Sequence, residues 1–294
     1  MNKEQIKDFW QNNPCGQTLV SGSQTKISDF QGFFLSYDKF RYATEGHILA
    51  NLDAIDFKNK NVLEIGIGQA ADSAQIIERG GNYHGIDITS EACQRAITRF
   101  DIFKKPYKKV ICASATQIPF PDNYFDIIYS HGVLHHIPDI AKVVPELNRV
   151  LKKDGKLVIM LYAKNSLNYY LSILFFRRLF LVCLMPLDFI TGGKLIENEV
   201  LRKHLDNCKQ FGIFNYFSTP VFLSHNTDGP DNPYSRVYSP KEVQEVFDLF
   251  DFEAFNQHFV NERQLPIVKL FPKKIKDFLS SKWGWHLWCY GVKK

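Results

Sequence analysis

The 294-residue chain has few cysteines, no low-complexity tract, no internal repeat and no uninterrupted apolar run long enough to span a membrane. Its six cysteines, Cys15, Cys93, Cys112, Cys183, Cys208 and Cys289, are scattered without CxxC spacing. That pattern argues against a disulfide framework and predicts a reducing, cytoplasmic setting. The opening MNKEQIKDFWQNNPCG lacks the apolar stretch and small-residue cleavage site of a secretory signal, so export by that route is not predicted. The longest apolar stretch, Leu171 to Ile190, is broken by Arg177, Arg178, Pro186 and Asp188. Two guanidiniums near its centre would each cost roughly 2.5–3.5 kcal/mol in a bilayer core, which excludes a transmembrane helix but leaves an interfacial one open.

What is present suits a folded globular protein: 45% hydrophobic and 23% charged residues, in a length that allows one large domain or two small ones. The net charge of +5 is unevenly spread. Residues 269–294 hold seven lysines against one acid, Asp277, and the other 268 residues carry a net −1. Most of the chain therefore has no polyanion-binding signature, and no nucleic-acid partner is predicted. The stretch mixes these lysines with Trp283, Trp285 and Trp288, which permits peripheral contact with an anionic membrane surface; solvated lysines flanking a last strand are the alternative reading.

From residue 60 strands and helices alternate. Asn61 to Ile65, Tyr83 to Ile86, Lys109 to Cys112, Phe125 to Tyr129 and Lys156 to Tyr162 read as strands. Helices are predicted over Asp72 to Arg79, from a Thr89-Ser90-Glu91 cap towards Phe103, and over Ile140 to Leu151. This implies an α/β fold with a doubly wound, mostly parallel sheet. The rhythm breaks after Tyr162 with an aromatic-rich insertion, read as a cap over 163–238. A helix from Ser239-Pro240-Lys241-Glu242 to about Phe250, a strand near Phe252 to Val260, a helix around Lys274 to Leu279 and a strand over Trp285 to Val292 complete the sheet. Residues 1–58 read as a helical preface or lid before a core over 59–162.

The strongest local signal is Leu63-Glu64-Ile65-Gly66-Ile67-Gly68-Gln69-Ala70-Ala71. Glycines directly after a buried strand let the backbone turn tightly against a ligand, and the next helix offers free N–H groups. Gly66-x-Gly68-x-x-Ala71 also satisfies the permissive dinucleotide pattern, so an NAD-dependent oxidoreductase and a non-catalytic cofactor-binding scaffold stand as alternatives. Glu64 tilts the balance, because a carboxylate there repels a pyrophosphate and attracts an ammonium group. Asp87, ending the second strand about 20 residues past the glycines, can accept hydrogen bonds from both ribose hydroxyls of a nucleoside. Asp72 reads as a helix cap.

These residues, with the runs Ala113-Ser114-Ala115-Thr116-Gln117-Ile118-Pro119-Phe120-Pro121-Asp122-Asn123-Tyr124-Phe125-Asp126 and Tyr129-Ser130-His131-Gly132-Val133-Leu134-His135-His136, resemble the class I S-adenosylmethionine-dependent methyltransferases over about residues 60–162. The resemblance implies a Rossmann-like fold, S-adenosyl-L-methionine as cofactor, and a cofactor-binding set of Tyr42, Glu64, Gly66, Gly68, Asp87, Ile88, Ser114, Ala115, Ser130 and His131. Ala70 replaces the family's frequent third glycine, and Ser114 stands where an aspartate often meets the adenine. Phe9-Trp10…Asn13-Pro14-Cys15-Gly16 and Arg41-Tyr42…Glu45 resemble a bacterial small-molecule and lipid-type branch whose N-terminal residues close over the cofactor, which suggests Tyr42 and Tyr37.

Adjacent His135 and His136 cannot both face one way on a helix, so no metal site is predicted from the group His131, His135 and His136. A general base is needed only for an acceptor that must lose a proton, and His131, His136 and His225 are the candidates. The fourth strand lacks the Asn/Asp-Pro-Pro-aromatic loop of nucleic-acid amino methyltransferases. The expected activity is methyl transfer to a small-molecule acceptor, apolar or aromatic to match the insertion.

Overall fold

The computed structural model describes residues 3–21, 27–194, 196–260, 262 and 265–294. Among the described residues four helices come first: α1 (Lys3–Asn12), α2 (Gln17–Ser21), α3 (Phe30–Thr44) and α4 (His47–Asp53). The alternating region follows as β1 (Asn61–Ile65), α5 (Ala71–Glu78), β2 (Asn82–Asp87), α6 (Ser90–Ile102), β3 (Lys109–Cys112), β4 (Phe125–His131), α7 (Ile140–Val150) and β5 (Leu151–Tyr162). Thr89 caps α6 by accepting from the Ala92 backbone, as its hydroxyl-bearing side chain at that position predicts.

β5 begins five residues before the predicted Lys156. The turn Lys153-Asp154-Gly155 is absorbed into the strand as an irregularity, where the pairing jumps from Phe125↔Leu151 to Ile127↔Lys156 and Asp154 takes a positive φ of 59°. Beyond β5 the chain is helical: a π-helical segment (Asn168–Arg177), α8 (Arg178–Thr191), α9 (Glu199–Phe211), α10 (Ile213–Tyr216) and α11 (Thr219–His225). Then α12 (Pro240–Val246) opens on a Ser239–Glu242 capping box, and β6 (Phe250–His258), α13 (Lys273–Trp283) and β7 (His286–Lys293) close the chain. α12 stops four residues short of the predicted Phe250, because that residue pairs with Lys293 in the sheet.

The seven strands lie in the order β3-β2-β1-β4-β5-β7-β6, parallel except for β7, which runs antiparallel to both neighbours. Apolar side chains cover both faces. Leu63, Ile128, Leu157 and Ile159 pack with Val143 and Leu147 of α7 and Val243 of α12; Val62, Ile127 and Val158 pack with Ile48 and Leu52 of α4, Ile76 of α5 and Phe100 of α6. Separate clusters hold the helices after β5, around Tyr169, Ile173, Tyr216 and Phe222, and the N-terminal helices, around Phe33, Phe34 and Tyr37. Among the described residues no helix is long and apolar enough to cross a membrane. Parallel strands put the C-terminal ends of β1, β2 and β4 on one edge, so Ile65, Asp87 and His131 meet there, where ligands bind in such sheets.

Candidate active site

At that edge the chain turns on Gly66, whose φ is +80° and whose added Cβ would lie 2.1 Å from Val133 Cγ2. Only glycine fits both the backbone and the space. Gly68 (φ +56°) and Ala70 (φ +57°) continue the left-handed turn, so the alanine holds a conformation that strains any residue with a side chain. Asp87 pins the loop: its Oδ2 accepts from the Ile67 amide at 2.9 Å and its Oδ1 from the Thr89 amide at 2.9 Å and hydroxyl at 2.7 Å. Burial raises its pKa against those three bonds.

Glu64 differs from expectation. Only 3% exposed, it accepts from the Tyr83 hydroxyl at 2.6 Å and from Ser73, and burial, with Asp72 nearby, pushes its carboxyl up to about 8. At neutral pH it is largely protonated, so it does not present the full negative charge that was to attract an ammonium group. The anion of the site is Asp72, which was read as a helix cap. The N-cap position of α5 is Ala70, with no side-chain cap. Asp72 instead takes Arg41 of α3 in a fork, Nε to Oδ1 at 3.1 Å and Nη2 to Oδ2 at 2.8 Å, and accepts from the hydroxyls of Tyr129 (2.9 Å) and Tyr42 (3.3 Å). This buried carboxylate ties the N-terminal helices to the sheet.

A cavity of about 500 Å³ opens above the loop. Glu64, Gly66, Gly68, Asp87, Ile88, Ser114, Ala115, His131 and His136 line it from the sheet side, and Ile6, Trp10, Tyr37 and Arg41 from the N-terminal helices with Pro14 and Cys15 from the α1–α2 connection. The indole of Trp10 stands edge-on to His136, centroids 5.1 Å apart.

His136 Nδ1 lies 2.8 Å from the Tyr234 carbonyl. A carbonyl only accepts, so Nδ1 carries the hydrogen, and Nε2 is turned towards Asp228 Oδ2 at 3.3 Å. Asp228 in turn accepts from the Tyr162 hydroxyl, 3.0 and 3.1 Å from its two oxygens. His135 packs its ring on Tyr162 at 3.7 Å, and neither of its nitrogens has a partner among the described residues. His131 Nδ1 is 3.2 Å from Arg41 Nη2 and accepts a hydrogen bond from it, leaving the Nε2 hydrogen buried. Beside it His47 Nε2 and His286 Nδ1 are hydrogen-bonded at 3.1 Å, and the three rings offer nitrogens within 4.8 Å of one another. A cation there would face the Arg41 guanidinium, and His131 has no lone pair free on Nε2; we assign it no metal.

Residues 63–159 match the family described as methyltransferase domain. These residues form a class I S-adenosylmethionine-dependent methyltransferase domain. A phosphoethanolamine N-methyltransferase of Caenorhabditis elegans is 33% identical over 111 residues, 37% of this chain and 25% of that protein. A demethylmenaquinone methyltransferase of a Geobacillus strain is 29% identical over 133 residues, 44% and 56%. The chain thus spans between a quarter and little more than half of these two relatives. Among solved structures, an S-adenosylmethionine-dependent methyltransferase from Mesorhizobium loti superposes with a TM-score of 0.51 at 13% identity over 85% of this chain and 98% of that one. The [4+2]-cyclase SpnF gives 0.56 at 11% over 99% and 96%. At such identities these two report the fold alone.

The methyltransferase domain's cavity fits its cofactor. Gly66 leaves a cradle that a single Cβ would fill, Asp87 ends β2 at the wall, and Ile88 and Ala115 supply apolar surface beside it.

Three predicted residues stand elsewhere. Tyr42 is outside the cavity wall, bonded to Asp72, and Tyr37 of the same helix lines it instead. Ser130 is fully buried and donates to the Ile65 carbonyl, because strand alternation turns it away from the side of Tyr129 and His131. His225 lies at the end of α11, 2.6 Å from the Pro230 carbonyl and stacked on Tyr216, and does not line the cavity. Sequence reading gave no role to Trp10, Cys15, Arg41 and Asp228, which reach the site from other parts of the chain; the runs Phe9-Trp10, Asn13-Pro14-Cys15-Gly16 and Arg41-Tyr42, which carry the resemblance, held the local sign of the first three.

Proposed function

We propose that the chain transfers a methyl group from S-adenosylmethionine to a small acceptor with an apolar or aromatic body and a protonated nucleophilic atom. The observation that carries this reading is the meeting, in one cavity, of the Gly66–Asp87 cradle with His136 and with Trp10. Bound there, the cofactor supplies a methyl group already activated by its sulfonium. Asp87 would hold the ribose hydroxyls, Ser114 and Ala115 the adenine side, and the backbone of Gly66 and Gly68 the methionine end.

His136 is the proposed general base. The Tyr234 carbonyl fixes its tautomer, so Nε2 can take the acceptor's proton, and Asp228 stands ready to balance the resulting imidazolium. Ile6, Trp10 and Pro14 exclude water from the wall opposite the sheet. One relative acts by name on demethylmenaquinone, which supports an apolar ring acceptor. Under this reading 1–58 serves as lid, 59–162 as cofactor core, 163–238 as acceptor-side cap and 239–294 as the sheet's completion, and the chain works in the cytoplasm or at its membrane surface.

The test is incubation with methyl-labelled S-adenosylmethionine and fractionated extracts containing quinones, phenols and lipids. Label in an organic-phase product with wild type, lost in His136→Asn while cofactor affinity is kept, supports the reading. No label in any fraction despite intact cofactor binding would leave a scaffold instead.

A further inference from the structure

The helices after β5 expose an amount of apolar surface that a soluble domain rarely leaves uncovered. On the π-helical segment and α8, Phe175, Phe176 and Phe180 are each more than half exposed, and at the end of α8 Phe189 and Ile190 are 88% and 79% exposed. Phe214, at α10, is 96% exposed. A second apolar surface stands on the segment between β6 and β7. Leu270 is 81% exposed, and α13 has no buried residue at all. In α13 Ile275, Phe278 and Leu279 fall on one helical stripe by their i, i+3, i+4 spacing, with Lys274 and Lys276 on its flanks.

Topology brings these two surfaces to one side of the molecule. Tyr162, where β5 ends, pairs with His286 at the start of β7, and His286 pairs with His258 at the end of β6. The helices that follow β5 and the connection containing α13 therefore leave the sheet side by side, on the edge that holds Asp87 and His131. Gln257 joins them by donating to the Asn165 carbonyl at 3.0 Å.

We propose that this edge docks on an anionic lipid bilayer, with Phe189, Ile190, Phe214 and the apolar stripe of α13 entering the interface. Charge selects the occupant. Lys273, Lys274 and Lys282 make no ion pair among the described residues, and they lie beside the apolar side chains as cations do on interfacial helices. A second copy seated on the same face by a two-fold axis would gather both copies' sets of these lysines into one interface. Phenyl rings standing free on convex helix ends suit a deformable medium better than a preformed protein groove. The docking claim stands on this surface alone. Its functional consequence, that the acceptor is an amphiphile taken from the leaflet against which the cavity's edge rests, relies on the methyl-transfer reading above.

The experiment is co-sedimentation of the full chain, without cofactor, with vesicles of phosphatidylcholine alone and with vesicles in which about a third of the lipid is phosphatidylglycerol. Wild type is expected to sediment with the anionic vesicles and to be released by salt. The double variant Phe189→Asp/Ile190→Asp and the triple variant Lys273→Glu/Lys274→Glu/Lys282→Glu should each weaken partitioning at least about tenfold while circular dichroism is unchanged. Absence of binding to either vesicle, or binding that neither variant alters, overturns the proposal. A concentration-dependent dimer in light scattering, abolished by the aspartate variant, would reassign the face to self-association. Failure here with normal methyl transfer to soluble acceptors would refute docking alone; docking with no transfer to any acceptor would refute the catalytic reading alone.

Discussion

Replacing Gly66 by alanine should damage cofactor binding far more than the same change at Gly68, and the structure says by how much. An alanine at φ +80° carries a backbone penalty of roughly 1–2 kcal/mol. Its Cβ would also lie 2.1, 2.8 and 2.9 Å from three atoms of the Val133 side chain, an overlap that costs about 1–3 kcal/mol to relieve. The free protein can shed both by letting the loop move outward, but binding must then restore the cradle. The loss of about 2–5 kcal/mol appears as roughly thirtyfold to three-thousandfold weaker affinity at 1.4 kcal/mol per tenfold. At Gly68 (φ +56°) the nearest neighbour of a Cβ is Cys15 Cβ at 3.9 Å, so only the backbone penalty remains, about thirtyfold at most. Titration calorimetry with S-adenosylhomocysteine reads both. The steric share can be isolated with Gly66→Ala/Val133→Ala, which should recover the overlap part and leave the φ penalty. Equal damage at the two glycines, or no recovery on trimming Val133, would refute the reasoning.

His136→Asn should lower kcat by about 10²–10⁴ for acceptors that must lose a proton and leave S-adenosylhomocysteine affinity unchanged in calorimetry. Glu64 makes stability fall with rising pH. Its folded pKa of about 8 exceeds the ordinary value of 4.5, so the folded state holds a proton that the unfolded state has released, and stability drains away from about pH 4.5 to 8. Glu64→Gln should flatten that decline in melting temperature, and an unchanged slope would contradict it. Arg41→Ala leaves Asp72 buried with only the Tyr42 and Tyr129 hydroxyls, a loss of about 3–5 kcal/mol that should appear as a lower melting temperature and faster proteolysis within residues 1–53.

The alternating core was legible because each parallel strand is a short apolar run bounded by turn residues, and β3 falls on the predicted Lys109 to Cys112. The place of Asp87 at the cavity wall was legible for a similar reason, as an acid at a strand's end spaced from a glycine turn; its bonds to Ile67 and Thr89 were not. Where the reading failed, distance or orientation decided. Strands buried on both faces do not reveal which side a residue faces, so Ser130 and His131 looked alike until the sheet separated them. Tyr37 and Tyr42 share α3, but five residues turn them through about 500°, and only the first meets the cavity. Glu64 lost its charge to burial against Ser73 and Tyr83, a property of packing and not of spacing. Asp228 reaches His136 from 92 residues away, through helices whose composition announced apolar surface but not direction.

The most direct test of the central claim, that the Gly66–Asp87 cavity is built for S-adenosylmethionine, is titration calorimetry of the full chain with S-adenosylhomocysteine and, separately, with NAD. Saturable binding of the homocysteine nucleoside at one site, abolished by Asp87→Ala, and no heat with NAD are expected. Saturable NAD binding with no response to S-adenosylhomocysteine would contradict that claim.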